Sequence, residues 1–435
     1  MKTNSFTTLA TIAWRNIKRN MRRTSLCIVA IAIAVFFTIV MQSMMTGMMV
    51  GMETVVQVFD TGHVSIVSAD FEAKKEYYPV QYPIANGSSA AELVDAIKLL
   101  PGVRAVFPRI TAYATLQDST KKHALLWGLD IAGETAANNF NMTDKSNGLV
   151  EGRFPAPETG ETPFRSECAV GTIFAKKTGL GIGDKIPLKT VSAQFSDKMW
   201  SPVITGIYEF DYQKYDEDTI LVDFNRLQRL LVLGNAAQQV YVFADKASMS
   251  ETIAKAVRGV LTSLSGDTGG NVSGDLVHDW RDNYFVALMR QSAVIYYIVY
   301  LVFIIVASFL IVNTVVMIIH ERIKEIGMMG SLGMTRREIV EVFFFEALFL
   351  SILGALAGCV LGGIVTFIGS WFPIDFNAMT GGGMKEFPIS GTIYLDFSPG
   401  ILAGGFVFGV VIASICTLIP SLKSAFVEPV EALRR

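Results

Sequence analysis

Four long apolar segments constrain the fold of this 435-residue chain more than any other feature. They lie at residues 25–52, 293–319, 342–372 and 400–422. Each is long enough to cross a hydrocarbon core of about 30 Å, because a helix rises about 1.5 Å per residue. The composition agrees, with 51% hydrophobic and only 17% charged residues. We therefore predict an α-helical membrane protein with four transmembrane helices and an α+β extracytoplasmic domain, residues 53–290, between the first and second helix.

The first apolar segment follows a basic stretch, as the core of a signal peptide would. The apolar region of a signal peptide runs to about 7–15 residues, whereas this one is much longer and no small-residue cleavage site follows it. We interpret it as an uncleaved anchor. Within residues 1–24, one helical face carries apolar side chains and the rest is basic, which predicts a cytoplasmic amphipathic helix in the membrane interface. A generic basic tail that sets the topology explains the charges nearly as well.

The basic residues outside the apolar segments predict the orientation. They concentrate in residues 1–24, in the 320–341 connection and in the 423–435 tail, whereas the 373–399 connection contains only Lys385. Cytoplasmic loops of membrane proteins carry an excess of Lys and Arg. We therefore predict a multi-pass protein of the inner membrane with both termini in the cytoplasm, and with residues 53–290 and 373–399 in the periplasm or outside the cell.

The soluble segment mixes strand and helix patterns, which indicates an α+β domain. We predict strands at residues 62–67, 103–108, 112–116, 124–129, 168–171, 185–188 and 203–210, and helices at residues 90–100, 224–233 and 249–264. The stretch 148–206 is denser in Gly and Pro and is interpreted as an inserted subdomain.

No motif in the soluble segment predicts catalysis or metal binding. His123 and His278 are far apart, and the chain contains no HExxH, GxSxG or GxxxxGK[ST]. An acidic cluster of Asp211, Asp216, Glu217 and Asp218 is interpreted as a solvated loop, because carboxylates without partners stay in water. A metal or catalytic role for this cluster is the weaker alternative. The net charge of −2 gives no reason to expect a nucleic acid partner.

The connection at residues 320–341 is the segment most suggestive of mechanism. It combines an apolar face, which includes Ile326, Met329 and Leu332, with charged residues at Arg322, Glu325 and Arg336. A capping box at residues 335–338 predicts the start of the next helix. The functional interpretation is a coupling helix that docks into a cytoplasmic partner. An ordinary interfacial loop remains the alternative.

Two patterns inside the apolar segments point to packing or to ligand contact. Gly354, Gly358 and Gly362 follow the small-xxx-small spacing that lets two helices approach closely in lipid. The outer end of the first segment is rich in methionine, a flexible side chain that fits irregular apolar ligands. A contact with acyl chains is the hypothesis for this end and packing filler is the alternative; the residues concerned are Met41, Met44, Met45 and Met48.

Taken together, these segments resemble the permease subunits of type VII ABC transporters, the MacB/FtsX superfamily. The resemblance rests on AWRNIKRNMRRTSL near the start, RIKEIGMMGSLGMTRREIVEVFFFEA between the second and third helix, the glycine series, and PSLKSAFVEPVEALRR at the end. Three stretches of the soluble segment look most like the lipoprotein-releasing LolC/LolE branch: FDTGHVSIVS, GTIFAKKTGLGIGDKIPL, and ITGIYEFDYQKYDEDTILVDFNRLQRLL. The resemblance implies a MacB-like periplasmic core between helices one and two.

The resemblance also implies the partners. ATP and Mg²⁺ would be bound by a separate cytoplasmic ABC ATPase dimer, so no cofactor is expected in this chain. A second permease copy or a paralogue would complete the membrane part, among the membrane lipids. The implied cargo is a lipoprotein, extracted from the outer leaflet towards a periplasmic carrier. Two alternatives stay open: a MacB-like exporter of peptides or small molecules with an adaptor protein, and an FtsX-like mechanotransmitting regulator of a cell-wall hydrolase.

Overall fold

The computed structural model describes residues 15, 21–84, 89–117, 123–137, 139, 148–158, 166–210, 212–264, 275–321, 328, 334–375 and 392–425. The chain divides into two compact units. The helical unit comprises Met1–Val50, Arg290–Ile374 and Ile393–Arg435, and the soluble unit comprises Gly51–Met289 and Asp375–Thr392. Each unit is described separately.

The elements up to residue 171 are given first. They are helix α1 (Met21–Val55), a π-helix (Val56–Thr61), β1 (Val64–Ser68), α2 (Ala69–Glu72), a 3₁₀ turn (Lys75–Tyr77), α3 (Ala90–Lys98), β2 (Val103–Leu116), β3 (His123–Leu129), α4 (Ile131–Ala136), β4 (Leu149–Gly152) and β5 (Glu167–Gly171).

The remaining elements complete the soluble unit and provide three further long helices. They are α5 (Thr172–Thr178), β6 (Leu188–Val191), β7 (Asp197–Trp200), β8 (Val203–Tyr208), α6 (Gln213–Asp218), β9 (Thr219–Asp223), α7 (Phe224–Leu230), β10 (Gln239–Ala244), a 3₁₀ turn (Ala247–Met249), α8 (Ser250–Leu264), β11 (Asp275–Asp279), a 3₁₀ turn (Trp280–Asp282), α9 (Tyr284–Glu321), α10 (Arg336–Trp371), β12 (Ile374–Asp375), β13 (Thr392–Ile393) and α11 (Pro399–Ala425).

Within the described residues, the soluble unit is built on an eleven-stranded sheet with the order β11-β1-β10-β2-β3-β9-β5-β8-β4, and the β6–β7 hairpin attaches to the end of β2. Two pairs, β3 with β9 and β5 with β8, are parallel, and the other paired strands are antiparallel. Strands β4 to β8 thus continue the same sheet, and the inserted subdomain at 148–206 stays a prediction.

The two faces of this sheet bury different sets of side chains. On β3, Ala124 and Leu126 join the main core, which includes side chains of α3, α7 and α8. Trp127 and Leu129 alternate onto the other face and join an aromatic cluster of Phe59, Trp127, Tyr208, Phe210, Tyr212 and Tyr215. The helices therefore pack on one face of the sheet, and the end of α1 packs on the other face.

The sequence predictions for the soluble unit agree with most elements near the main core, with two corrections. The strands expected at 103–108 and 112–116 are one strand, β2. Pro108 does not interrupt the pairing of β2 with β10, in which it lies opposite Val240. The strand expected at 185–188 begins instead at Leu188, and Lys185 makes only an isolated bridge to Val203. The elements that were not predicted are helices α2, α4, α5 and α6 and strands β4, β7, β9, β10 and β11.

Three described helices are long and apolar enough to cross a membrane, with spans at Thr24–Thr61, Arg337–Trp371 and Pro399–Cys416. The apolar segment at 293–319 lies within the 38-residue helix α9; a count of four transmembrane helices stays a prediction. The capping box at the start of α10 is confirmed, because Thr335 and Glu338 bond reciprocally to each other's backbone N–H.

Candidate functional site

The end of α1 is anchored inside the soluble unit. The helix continues as the π-helix Val56–Thr61, which we call the anchor. Phe59 of the anchor is 1% exposed, and its ring lies 4.8 Å from that of Tyr215 and 5.3 Å from that of Phe210, centroid to centroid. A buried aromatic side chain contributes a large apolar area. The aromatic cluster therefore holds the last turn of α1 firmly against the sheet.

A buried arginine binds the carbonyl groups that the end of this helix leaves free. Arg109 of β2 donates to the Val58 carbonyl at 2.7 Å and to the Phe59 carbonyl at 3.3 Å. Its guanidinium also forms a bidentate pair with Glu134 of α4, at 2.8 and 2.6 Å. A cation at a helix C-terminus satisfies orphan carbonyls and complements the helix dipole. Arg109 thus ties α1, β2 and α4 together.

Two phenols complete the grip on the anchor. Tyr215 donates to the Phe59 carbonyl at 3.2 Å, and Tyr241 donates to the Asp60 carbonyl at 2.5 Å. Burial raises the pKa of the Tyr215 phenol well above its usual range, so this group stays a protonated donor. The chain then turns into β1 at Gly62, whose φ of +63° and closeness to Tyr241 leave no space for a side chain.

The entrance to helix α9 lies beside the anchor. Strand β11, which leads into α9, pairs with β1, which follows the anchor, with Val64 opposite Asp279. The backbone N–H of Trp280 donates to the His63 carbonyl at 3.2 Å. Asp279 caps the short turn before α9 and accepts from Ser250 at 2.5 Å. The segments that join the soluble unit to α1 and α9 therefore lie on adjacent strands of its sheet.

The interpretation of the acidic cluster as a solvated loop is wrong for Asp216 and Glu217. They lie on α6 and are 3% and 8% exposed. Asp216 accepts from the Phe210 N–H at 2.8 Å, and Glu217 pairs with Lys177. These partners compensate the cost of removing the two carboxylates from water. Helix α6 therefore packs against the aromatic cluster, to which its own Tyr215 belongs. Asp211 lies outside the described residues.

The predicted glycine series packs closely on α1 within the helical unit. A Cβ added to Gly354 would lie 2.7 Å from the Cβ of Ile31, and one added to Gly358 would lie 2.7 Å from the Ala32 carbonyl oxygen. At Gly362 the nearest atom would be a methyl carbon of Ile39 at 3.1 Å. Backbones approach this closely only where a side chain is missing.

Two further glycines, which the sequence analysis missed, contact α1 from helix α11. A Cβ at Gly409 would meet Val35 at 2.3 Å, and a Cβ at Gly405 would meet Ile39 at 2.6 Å. Val35 and Ile39 thus fit between the glycines of α10 and those of α11. The spacing of four residues between Gly405 and Gly409 is the sequence signal that could have predicted this contact. One turn after Ile39 on α1, the Ser43 hydroxyl donates to the Asp396 carbonyl at 2.7 Å.

The remaining predicted residues are only partly described. Met41, Met44, Met45 and Met48 are half-buried on α1. Residue Arg336 begins α10. The coupling candidates Arg322, Glu325, Ile326, Met329 and Leu332 lie outside the described residues, as does the 1–24 segment except Arg15 and residues 21–24.

One hairpin of the soluble unit exposes apolar side chains. Phe195, at the turn between β6 and β7, is 77% exposed, and Met199 is 74% exposed. Phe195 also has a φ of +57°, a region that costs energy for any residue with a side chain. Because this aromatic residue buries little apolar area in the described structure, the hairpin is a candidate contact surface.

Two family descriptions match the chain. The MacB-like periplasmic core domain matches residues 24–260, more than half of the chain, and the FtsX-like permease C-terminal domain matches residues 297–429. The chain belongs to the MacB/FtsX family. It is an ABC transporter permease.

The chain is also similar to several curated proteins and to solved structures. The chain is 22% identical over 357 residues to the lipoprotein-releasing system transmembrane protein LolC of Xylella fastidiosa (strain 9a5c), covering 77% of this chain and 78% of that protein. It is 31% identical over 124 residues to the uncharacterized ABC transporter permease YknZ of Bacillus subtilis (strain 168), covering 28% and 27%. The periplasmic region of MacB from Actinobacillus actinomycetemcomitans aligns with a TM-score of 0.33 at 9% identity, covering 55% of this chain and 97% of that one.

Proposed function

We propose that this chain extracts lipoproteins from the outer leaflet of the inner membrane and passes them to a periplasmic carrier. The observation that carries the proposal is the extent of the match to LolC, which covers 77% of this chain and 78% of that protein. A match of this extent includes both the soluble domain and membrane segments. On this proposal the soluble unit is periplasmic, four helices span the membrane, and both termini are cytoplasmic, as the basic residues favour.

The anchor supports a mechanism in which motion, rather than a substrate, crosses the membrane. An ATPase dimer in the cytoplasm binds ATP and Mg²⁺ and moves the 320–341 segment. Helices α1 and α9 pass this motion to the soluble unit. The contacts of Phe59 and Arg109 with the end of α1 support this part of the proposal. A second permease copy or a paralogue supplies the other half of the membrane part.

The energetics of the cargo explain the need for ATP and for an apolar surface. An acyl chain gains about 0.8 kcal/mol per CH₂ in the membrane, so removing two or three chains costs on the order of tens of kcal/mol. An apolar surface that receives the chains lowers this cost. We propose that Met41, Met44, Met45 and Met48 provide part of it, since methionine adapts to irregular apolar shapes. Met44→Asp is then expected to reduce lipoprotein release by a normally assembled complex.

Export of a small molecule is the second candidate. The chain is 28% identical over 123 residues to the pyoverdine export ATP-binding/permease protein PvdT of Pseudomonas entomophila (strain L48). That match covers 28% of this chain and 16% of that protein, so it supports the candidate less than the LolC match supports lipoprotein release. An FtsX-like regulator of a cell-wall hydrolase is the third.

Reconstitution with the partner ATPase distinguishes these functions. We expect a triacylated lipoprotein in the liposomes to stimulate ATP hydrolysis and to appear bound to a soluble carrier. The same protein without its acyl chains is the control and is expected to do neither. Stimulation by a siderophore or peptide, with no release of lipoprotein, would favour export. ATP turnover that no cargo changes would favour the regulator.

A further inference from the structure

The soluble unit contains a cleft of about 320 Å³ next to the anchor. It opens on the sheet face opposite the main core. Its walls come from the anchor, the 3₁₀ turn at Lys75–Tyr77, and the residues just before α9. Small-molecule sites in proteins start at about 300 Å³. The cleft is therefore large enough for a small ligand in contact with both helix connections.

The walls of the cleft combine aromatic rings with an excess of acidic groups. Five carboxylates line it, those of Asp60, Glu72, Glu76, Asp279 and Asp282, against two lysines, Lys75 and Lys214. Glu72 already pairs with Lys75 at 3.0 Å, and Asp279 and Asp282 cap the turn before α9.

Asp60 is the acidic group best placed for a ligand. Among the described residues, its carboxylate forms no ion pair, and it shares the hydroxyl proton of Tyr215, at 3.3 Å, with the Phe59 carbonyl. Tyr78 and Tyr215 line the same cleft, and the faces of aromatic rings attract cations. A carboxylate among aromatic rings is the combination that recognises an organic cation.

A second observation also points to a ligand. Thr219 lines the cleft and is 1% exposed, yet its hydroxyl has no hydrogen-bond partner among the described residues. Buried hydroxyl groups nearly always have a partner. A hydroxyl can accept a hydrogen bond from an N–H donor. The hydroxyl of Thr219 and the carboxylate of Asp60, which has no ion pair among the described residues, therefore suit the same kind of ligand group.

We propose that this cleft binds a small organic cation, with a primary ammonium group carried on an apolar body. The ammonium pairs with Asp60 and donates to Thr219, and the apolar body lies against the rings of Tyr78 and Tyr215. This inference goes beyond lipoprotein release and stands whichever cargo the transporter moves. Because Phe59 and Asp60 belong to the anchor, a bound cation stabilises one arrangement of the end of α1.

Binding is tested on the purified full chain in detergent with two matched probes. Phenethylamine carries an ammonium on an aromatic body, and 2-phenylethanol has the same body without charge. We expect phenethylamine to raise the unfolding temperature in a saturable manner at neutral pH, and 2-phenylethanol to give no saturable rise. Equal responses to the two probes would overturn the proposal.

Two variants locate the site and a third serves as the control. Asp60→Asn is expected to weaken phenethylamine binding at least tenfold. Thr219→Val keeps the shape and removes a hydroxyl without a partner, so we expect an unchanged unfolding temperature without ligand and a severalfold loss of affinity. Asp197→Asn removes an exposed carboxylate of the β6–β7 hairpin and is expected to bind as the wild type. Wild-type affinity in either cleft variant would refute the site, and Thr219→Val decides alone if Asp60→Asn does not fold.

Discussion

At the scale of single residues, Arg109 is the group on which the anchor most depends. Its guanidinium is buried, and it lies over the rings of Tyr241 at 4.4 Å and Trp127 at 4.8 Å while it binds Glu134. Each contact compensates part of the cost of removing a charge from water. One side chain thus satisfies a carboxylate, two aromatic faces and the end of a helix.

Arg109→Met is expected to lower the free energy of unfolding of the soluble unit by about 3–5 kcal/mol, because it leaves Glu134 buried without its partner. Unfolding of the purified chain, followed by circular dichroism, measures the loss. Arg153→Met is the matched control. It breaks a pair with Glu167 at 2.6 Å whose arginine is 56% exposed, and such pairs are worth about 0–1 kcal/mol. Similar losses in both variants would mean that burial of the Arg109 pair is unimportant.

His63 gives the soluble unit a dependence on pH. Its Nδ1 accepts from the Ala244 N–H at 3.2 Å, which requires the neutral ring. Burial, together with the charge of Arg104, lowers the pKa of His63 from 6.5. The unfolded chain therefore takes up a proton before the folded one does, and the free energy of unfolding falls as the pH drops below about 6.5.

His63→Asn is expected to reduce this loss of stability, because the Asn amide keeps an acceptor but does not titrate. Unfolding temperatures between pH 7.5 and 5.5 measure the effect. His123→Asn, at the exposed start of β3, is the control and is expected to follow the wild type. If His63→Asn loses as much stability as the wild type over this range, His63 is not the group responsible.

At the scale of elements, the contacts between long helices depend on missing side chains. Gly358→Ala is expected to destabilise the helical unit, because the new Cβ would lie 2.7 Å from the Ala32 carbonyl oxygen and from the Cβ of Val35. The yield of folded, monodisperse protein after extraction and heating measures this effect. Gly404→Ala on α11 is the control, since a Cβ there meets nothing within 4 Å. Equal yields from the two variants would show that the close contact at Gly358 does not contribute to stability.

The β6–β7 hairpin gives a second prediction at this scale. Phe195→Gly relieves the strain of a positive φ, so we expect an unfolding temperature no lower than that of the wild type. If the hairpin contacts the carrier or adaptor, transfer to that partner falls nonetheless. Val232→Gly relieves a similar strain, at a φ of +59°, outside the hairpin. It is expected to leave transfer unchanged. Normal transfer by Phe195→Gly would show that the hairpin does not form part of the contact surface.

At the scale of the whole molecule, the proposed function requires the ATPase to act on the 320–341 segment. Helix-in-groove docking uses apolar anchors one turn apart, and losing one buried anchor commonly costs more than about 1 kcal/mol. Ile326→Ala with Met329→Ala is therefore expected to weaken co-purification of the ATPase, or to uncouple its turnover from cargo. The soluble unit should keep its unfolding temperature. Wild-type association together with cargo-stimulated turnover in this double variant would mean that the segment is an ordinary loop.

The sequence by itself determined the features that depend on local patterns. Apolar runs of more than 20 residues predicted α1, α10 and α11, because length and hydropathy alone decide whether a helix can span a membrane. Reciprocal capping at Thr335 predicted the start of α10, since a capping box needs only two residues three positions apart. The same local logic gave most of the helices and strands near the main core.

Only the tertiary structure decided where the polar groups around the anchor lie. Arg109 meets a carboxylate 25 residues away and a carbonyl 51 residues away, so no local pattern shows that its charge is compensated. Asp216 and Glu217 were assigned to water for the same reason, because their partners are the backbone of Phe210 and the side chain of Lys177. Whether a charge can be buried depends on partners that folding brings together, and these partners create both the anchor of α1 and the cleft beside it.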